Sequence, residues 1–546
     1  MDGSIPPPSG SPGASSTVPD VVSLLNRGEI ADAVALACAA LERGEIHSLL
    51  LNLRAFRLEQ EGDARGALSD LQRAHELDPE DPSVSNALGL ILAKHDRHFE
   101  AMKAYDAAIE VAPRFAPARF NKGFAAEAVG HLDLARQCYE TAVALDSRVA
   151  EPFVQLASLA VRRGDMDEAI RAASEALALR PNHSGAIRAL VAADIEQGRL
   201  PKAEARLEAL LGHDDVSDHE RYLAMGLLGE LRERQLRFVD AYAAFVNGNS
   251  AYYRANRPKF GSQGTALSAI RWLTDYYRAT PRIPSSPPEQ YRSGAAGHIF
   301  LVGFPRSGTT LLEQALASHP AVTTMEEKEA LSASVRAFMA DPQGHANLFA
   351  LDGAALEEHR MAYWRSVAEY GCAVEGKVFV DKLPFHTLKL PLIATLFPSA
   401  KILFAVRDPR DVVLGCLRAR FRVNPYMIEL LRPEDAAAFY SAYMNLADLY
   451  RQSLSLSVCD VRHENLVTDF DSICRTVCAF IGIDWSESMR AFASRQQVRA
   501  VATPSGKQLA RGLSPEGIGR WQKYADQLAP IMPVLVPWVD RFGYDR

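Results

Sequence analysis

The chain has 546 residues, 48% of them apolar and 23% charged, with a formal net charge of −7. That length exceeds one ordinary hydrophobic core and predicts two or more domains, while the acidic balance argues against a general nucleic-acid binder without excluding a local basic pocket. Seven scattered cysteines with no CxxC pair argue against a disulfide framework and point to a reducing compartment.

Residues 1–18, rich in Pro, Ser and Gly, read as a disordered lead-in. They have neither the basic nor the apolar segment of a signal peptide, and no apolar run reaches membrane-spanning length. The expected location is therefore cytoplasmic, with no membrane contact.

From there a strict period governs the chain. Gly28, Gly62, Asp96, Gly130, Gly164 and Gly198 are each 34 residues apart. Ala33, Ala67, Ala101, Ala135, Ala169 and Ala203 follow them in phase, and Ala40, Ala74, Ala108, Ala142 and Ala176 form a second register. Pro79, Pro113 and Pro181 share a third, with Ser147 in the remaining place. Alanine suits the points where helix backbones cross closely. Glycine or aspartate breaks the chain between helices, and proline is expected to start the next unit. The period and these residues match tetratricopeptide (TPR) repeats, whose helix pairs must stack to bury their apolar faces. An all-α solenoid is predicted over residues 19–255. After Gly198 the phase slips: Ala241 comes 38 residues after Ala203, and FVDAYAAFVNGNSAYYR is read as a looser terminal cap. The array predicts a groove for a peptide or protein partner. A spacer or a homodimerisation arm is the alternative.

Residues 256–296 read as a helical linker, with one helix over 265–279 followed by a Pro/Ser/Gly-rich stretch. A second domain is predicted over 297–546. HIFLVG (298–303) reads as a buried strand, FPRSG as a turn, and a helix opens at Thr309. This layout aims backbone N–H groups and a positive helix end at an anion. GFPRSGTT approaches the Walker A pattern, but Thr309 stands where the lysine should be. KILFAV (401–406) is a second strand, running into Arg407 and then a helix. An arginine there can grip a second phosphate. KVFV (377–380) leads into Asp381 and Lys382, and LSVCDVRHENL into a polar turn. Strands alternating with helices predict an α/β domain with a central parallel sheet and its ligand beyond the C-terminal strand ends. Cys474 and Cys478 read as core residues of one helix. Arg418, Arg420 and Arg422 read as a solvated basic face.

Residues from about 298 to 546 resemble the P-loop-like sulfotransferases, closest in spacing to the tyrosylprotein branch and to bacterial TPR–sulfotransferase fusions. The resemblance implies 3′-phosphoadenosine 5′-phosphosulfate as donor, no metal, and a hydroxyl acceptor on a peptide, glycan or small molecule. Pro305, Arg306, Ser307, Gly308, Thr309 and Thr310 fall on the 5′-phosphosulfate loop, and Arg407 on the 3′-phosphate element. Glu327, which lies 21 residues after Arg306, falls on the general base, with Glu326 as runner-up. Lys382 falls on the catalytic lysine, and Ser505 and Arg520 on a C-terminal pocket segment. Two positions depart from the pattern: Gly415 replaces a serine, and His463 replaces a tyrosine beside the adenine. His319 reads as a capping residue, and His386 as a reserve candidate base. The competing readings are a degenerate P-loop kinase or NTPase, for which Asp381 would have to hold magnesium, and an inactive sulfotransferase domain on an interaction scaffold.

Overall fold

The computed structural model describes residues 16–95, 97–261, 266–280, 293–492 and 512–545. The expectations for residues 1–15, for Asp96 and for Ser505 lie outside these. Residues 1–160 with 167–186 form one compact unit, and 161–166 with 187–546 a second.

The first unit is built from helical hairpins, among them Ser48–Gln60 with Ala64–Leu77, Pro82–Lys94 with His98–Val111, and Ala116–Ala128 with Leu132–Leu145. The register's glycines, Gly28, Gly62, Gly130, Gly164 and Gly198, lie in the turns between paired helices, with φ from 74° to 87°. A Cβ there would meet nothing, so the requirement is conformational rather than spatial. The alanines Ala33, Ala67, Ala101 and Ala135 are fully buried, as are Ala40, Ala74 and Ala108. Pro79 and Pro113 do not start the next helix. They follow the last residue of a helix by two positions, and the following helices begin at Pro82 and Ala116. Proline here stops one helix, and the start of the next is marked by a separate N-cap, Asp81, whose side chain accepts from the Ser83 N–H at 2.8 Å.

In the second unit the repeat pattern ends in a longer hairpin, Asp218–Arg234 with Phe238–Asn256. Its turn residue is Leu236, with φ 61°. The hairpin is no free cap. Tyr222 Oη donates to the Ala419 carbonyl at 3.2 Å and accepts from the Phe421 N–H at 2.7 Å. Asn249 donates to the Leu417 carbonyl at 2.9 Å. The terminal hairpin is fastened to the α/β domain by these bonds.

That domain holds five parallel strands: β1 (Gly297–Gly303), β2 (Val322–Glu326), β3 (Val378–Lys382), β4 (Lys401–Val406) and β5 (Ser457–Arg462), in the order β2-β3-β1-β4-β5. β2 is a strand the sequence pattern did not disclose. Apolar side chains cover both faces. Phe300, Val302, Phe379 and Ile402 enter one core, while Ile299, Leu301, Val378, Val380 and Leu403 enter the other. Such near-continuous apolar strands are what a sheet buried on both sides requires. Cys474 and Cys478 lie buried on the helix Phe470–Ile481. The polar turn expected after β5 is instead a short helix, His463–Thr468. No helix among the described residues is long and apolar enough to cross a membrane.

Candidate active site

Each strand delivers a polar residue at or just past its C-terminal end. In spatial order these are Glu326 and Glu327 (β2), Lys382 (β3), the loop 304–308 (β1), Arg407 (β4) and His463 (β5).

After β1 the chain turns sharply. Arg306 has φ 72° and Gly308 φ 94°. The helix Thr309–Ala317 then opens directly from Gly308. A Cβ on Gly308 would lie 2.4 Å from Nδ1 of His463, so only glycine lets the loop pass that ring. Arg306 is packed against the helix Pro409–Arg418. A Cβ on Gly415 would stand 3.3 Å from Arg306 Cβ, so the small residue makes room for the arginine. Burial, and then the charges of Arg407 and Arg418, draw the Arg306 pKa down to about 10. The neighbouring Cys416 donates its thiol to the Pro305 carbonyl at 3.8 Å, and burial pushes its pKa up to about 12.

Arg407 ties this loop to the C-terminal segment, donating to the carbonyls of Arg306 (3.1 Å) and Gly517 (2.6 Å). Asp411 holds the same segment by accepting from the N–H groups of Gly519 and Trp521 at 2.7 and 2.8 Å. Burial and the charges of Arg407 and Arg306 press the His463 pKa down to about 3, so its ring is neutral at physiological pH. Ser307 Oγ, Arg407 Nε and His463 Nδ1 are buried without a hydrogen-bond partner among the described residues. Buried polar atoms in want of partners, at a helix N-terminus beside two arginines, fit an anionic ligand.

Lys382 is fully buried and donates to Glu327 at 2.8 Å and Glu326 at 3.1 Å. Burial disfavours its ammonium, but Glu327 and Glu326 more than offset that and hold it protonated. Glu327 has φ 50°, and its N–H donates to the Lys382 carbonyl at 2.7 Å. A left-handed conformation is uncommon for glutamate, and this backbone bond to β3 holds it there. Glu313, on the first turns of the loop helix, is 2% exposed. It accepts from Thr324 and from Gln314. Burial and the charge of Glu326 raise its pKa to about 7. Nothing in its spacing separates Glu313 from an ordinary helical glutamate, and only its apolar neighbours Leu311, Leu312 and Leu316 hinted at burial.

Other expected residues stand elsewhere. Asp381 points to the opposite face of β3 from Lys382. Its carboxylate accepts from Tyr363 at 2.8 Å and lies 3.2 Å from Nε2 of His386, all three side chains buried. It is thus committed to the core, as is His386. His319 bridges the Ala321 N–H and the Asp484 carbonyl. Arg520 donates to Glu233 at 2.9 Å. Arg418 and Arg420 do not form a solvated face: they pair with Glu233 and Glu230, each at 2.7 Å, and only Arg422 of the three is exposed. No cluster of metal-binding residues occurs among the described residues.

Residues 298–487 match the sulfotransferase family. Residues 53–119, 120–184 and 160–226 match tetratricopeptide repeats. An uncharacterised protein of Aquifex aeolicus is 22% identical over 395 residues, 68% of this chain and 48% of that one. Protein-tyrosine sulfotransferase 2 of Gallus gallus is 23% identical over 45% of this chain and 69% of its own length. The nodulation protein NoeE of Sinorhizobium fredii is 26% identical over 34% of this chain and half of its own. The chain therefore spans about half the length of the Aquifex relative. Among solved structures, a tetratricopeptide repeat protein from Parabacteroides merdae is 15% identical, with a TM-score of 0.36, over 44% of this chain and 94% of that one.

Proposed function

We propose that this chain, in which tetratricopeptide repeats precede a sulfotransferase-family domain, transfers a sulfuryl group from 3′-phosphoadenosine 5′-phosphosulfate to a hydroxyl acceptor. The observation that carries the reading is the convergence of strand ends: the ion pair of Lys382 with Glu327 at one side, the arginine-flanked loop in the middle, and Arg407 with His463 at the other. The working division is a repeat array over 19–255, a linker over 256–296 and a catalytic domain over 297–546.

In this reading Ser307, Gly308, Thr309 and Thr310 hold the 5′ end of the donor, and Arg407 its 3′-phosphate. The donor supplies the reactive sulfur. Pro305 and Gly415 shape the wall on which Arg306 lies. Glu327 takes the proton of the acceptor hydroxyl, a role that contributes roughly 10²–10⁴-fold. Lys382, held cationic by two carboxylates, stabilises the charge that gathers on the leaving phosphate oxygen. Sulfuryl transfer is run by positioning and electrostatics, as phosphoryl transfer is, and the singly charged sulfuryl group demands fewer cations. Thr309 in place of the Walker lysine is consistent with that. Ser505 and Arg520 belong to the donor side, where Arg520 is held by Glu233. The acceptor is a protein tyrosine, a glycan or a small molecule, delivered by the repeats.

The test is incubation of the purified chain with labelled phosphosulfate donor and a panel of peptide, glycan and phenolic acceptors. Label should pass to one acceptor class and not to the same class with Lys382→Ala. Retained turnover in that variant overturns the assignment.

A further inference from the structure

Glu233 lies near the end of the repeat-derived helix Asp218–Arg234 and is 7% exposed. One of its carboxylate oxygens accepts from Arg418 at 2.7 Å and from Arg520 at 2.9 Å. The other accepts from the hydroxyl of Tyr524. Three donors from two separate segments of the α/β domain thus meet one buried carboxylate. Both segments lead to the site. Arg418 ends the helix that carries Gly415 and Cys416, against which Arg306 and Pro305 rest. Arg520 sits between Gly519 and Trp521, whose N–H groups are held by Asp411, and three residues after Gly517, whose carbonyl is held by Arg407. The stretch 517–521 is therefore pinned from the site side by Arg407 and Asp411, and from the other side by Glu233 alone among these contacts. A carboxylate accepting several charge-assisted bonds is a stiff anchor, and a buried one leaves its cations uncompensated when lost.

We infer that Glu233, contributed by the repeat segment, is a positioning residue of the donor site: it fixes the 517–521 wall through Arg520 and the Gly415 helix through Arg418. The inference rests on the donor reading above. It makes the last repeat hairpin a structural part of the active site rather than a tether for it. It also explains why the hairpin is bonded to the domain at Tyr222 and Asn249 as well: the anchor must itself be held.

The test compares wild type, Glu233→Gln and Glu233→Asp in the full chain. It uses titration of 3′,5′-diphosphoadenosine, steady-state kinetics, and amide hydrogen exchange without ligand. In Glu233→Gln the dissociation constant for the nucleotide and the donor KM should rise about tenfold, with kcat at saturating donor within about twofold. The Gly519 and Trp521 amides should exchange faster, and Glu233→Asp, which keeps the charge, should recover part of each. Unchanged affinity in a folded Glu233→Gln overturns the inference alone. So does tighter binding, which would mean that Glu233 competes with the nucleotide for Arg520. Should Glu233→Gln fail to fold, Glu233→Asp decides: affinity equal to wild type overturns the inference, and a weakened affinity with normal kcat supports it. A wild type that fails to bind overturns the donor reading and this inference with it.

Discussion

The first compact unit and the α/β domain spend their residues differently. In the repeats each requirement is local and recurs every 34 residues: an alanine where helices touch, a left-handed glycine in the turn. In the α/β domain the decisive contacts join residues far apart. Lys382 meets Glu327 across 55 residues, and Arg407 meets Arg306 across 101. Local requirements repeated many times give a stable array in which any one is expendable. Distant requirements met once give a site in which none is.

The sharpest test of that contrast is Lys382→Met. Transfer should fall by about 10³ or more in a single-turnover assay, because the proposed mechanism places this ammonium at the leaving oxygen. Thermal unfolding should show a loss of only about 2 kcal/mol, since Glu326 and Glu327, freed of their partner, are exposed enough to regain water. A variant that keeps its activity breaks the contrast.

Glu313 comes next. Its folded pKa of about 7 lies above the ordinary carboxyl value of 4.5. The native state therefore prefers the protonated form, and the stabilisation present below pH ~4.5 is lost as pH rises through ~7. Glu313→Gln should flatten the stability profile over that window and be more stable than wild type at pH ~8, by at most ~3 kcal/mol. Denaturant melts at a series of pH values check it, and identical profiles would refute it. Gly308→Ala should cost about 1–2 kcal/mol for its left-handed backbone, and the clash with His463 should also abolish nucleotide binding. By contrast Gly130→Ala, equally left-handed but facing open space, should cost about 1 kcal/mol and leave binding untouched. The smallest effect is a gain: Leu236, 74% exposed at φ 61°, occupies the place most other hairpins give to glycine. Leu236→Gly should raise stability by about 1 kcal/mol in the same melts.

The same contrast decides what could be read from the sequence. The repeat period was legible because each unit states its own rules, and the strand, loop and helix of 298–317 because they are contiguous. The prolines misled, since a residue two places beyond one helix is also a few before the next. β2 hid in VTTME, five residues with two threonines and no turn signal on one side. Lys382 is marked by resemblance to the family's lysine, but nothing beside it in sequence states that Glu326 and Glu327 fold against it. Arg418, Arg420 and Arg520 read as a basic face or a pocket until helix Asp218–Arg234 brings Glu230 and Glu233 to them, 185 residues away in the case of Arg418. No local pattern carries such a partner.

The central claim is that the strand ends cradle an adenosine phosphorylated at two places. It is tested most directly by calorimetric titration of 3′,5′-diphosphoadenosine, 5′-adenosine monophosphate and magnesium ATP into wild type and Arg407→Ala. Wild type should bind the diphosphate far more tightly than the monophosphate, and Arg407→Ala should erase that preference. Binding of magnesium ATP in preference to the diphosphate, or no binding of the diphosphate at millimolar concentration, would contradict it.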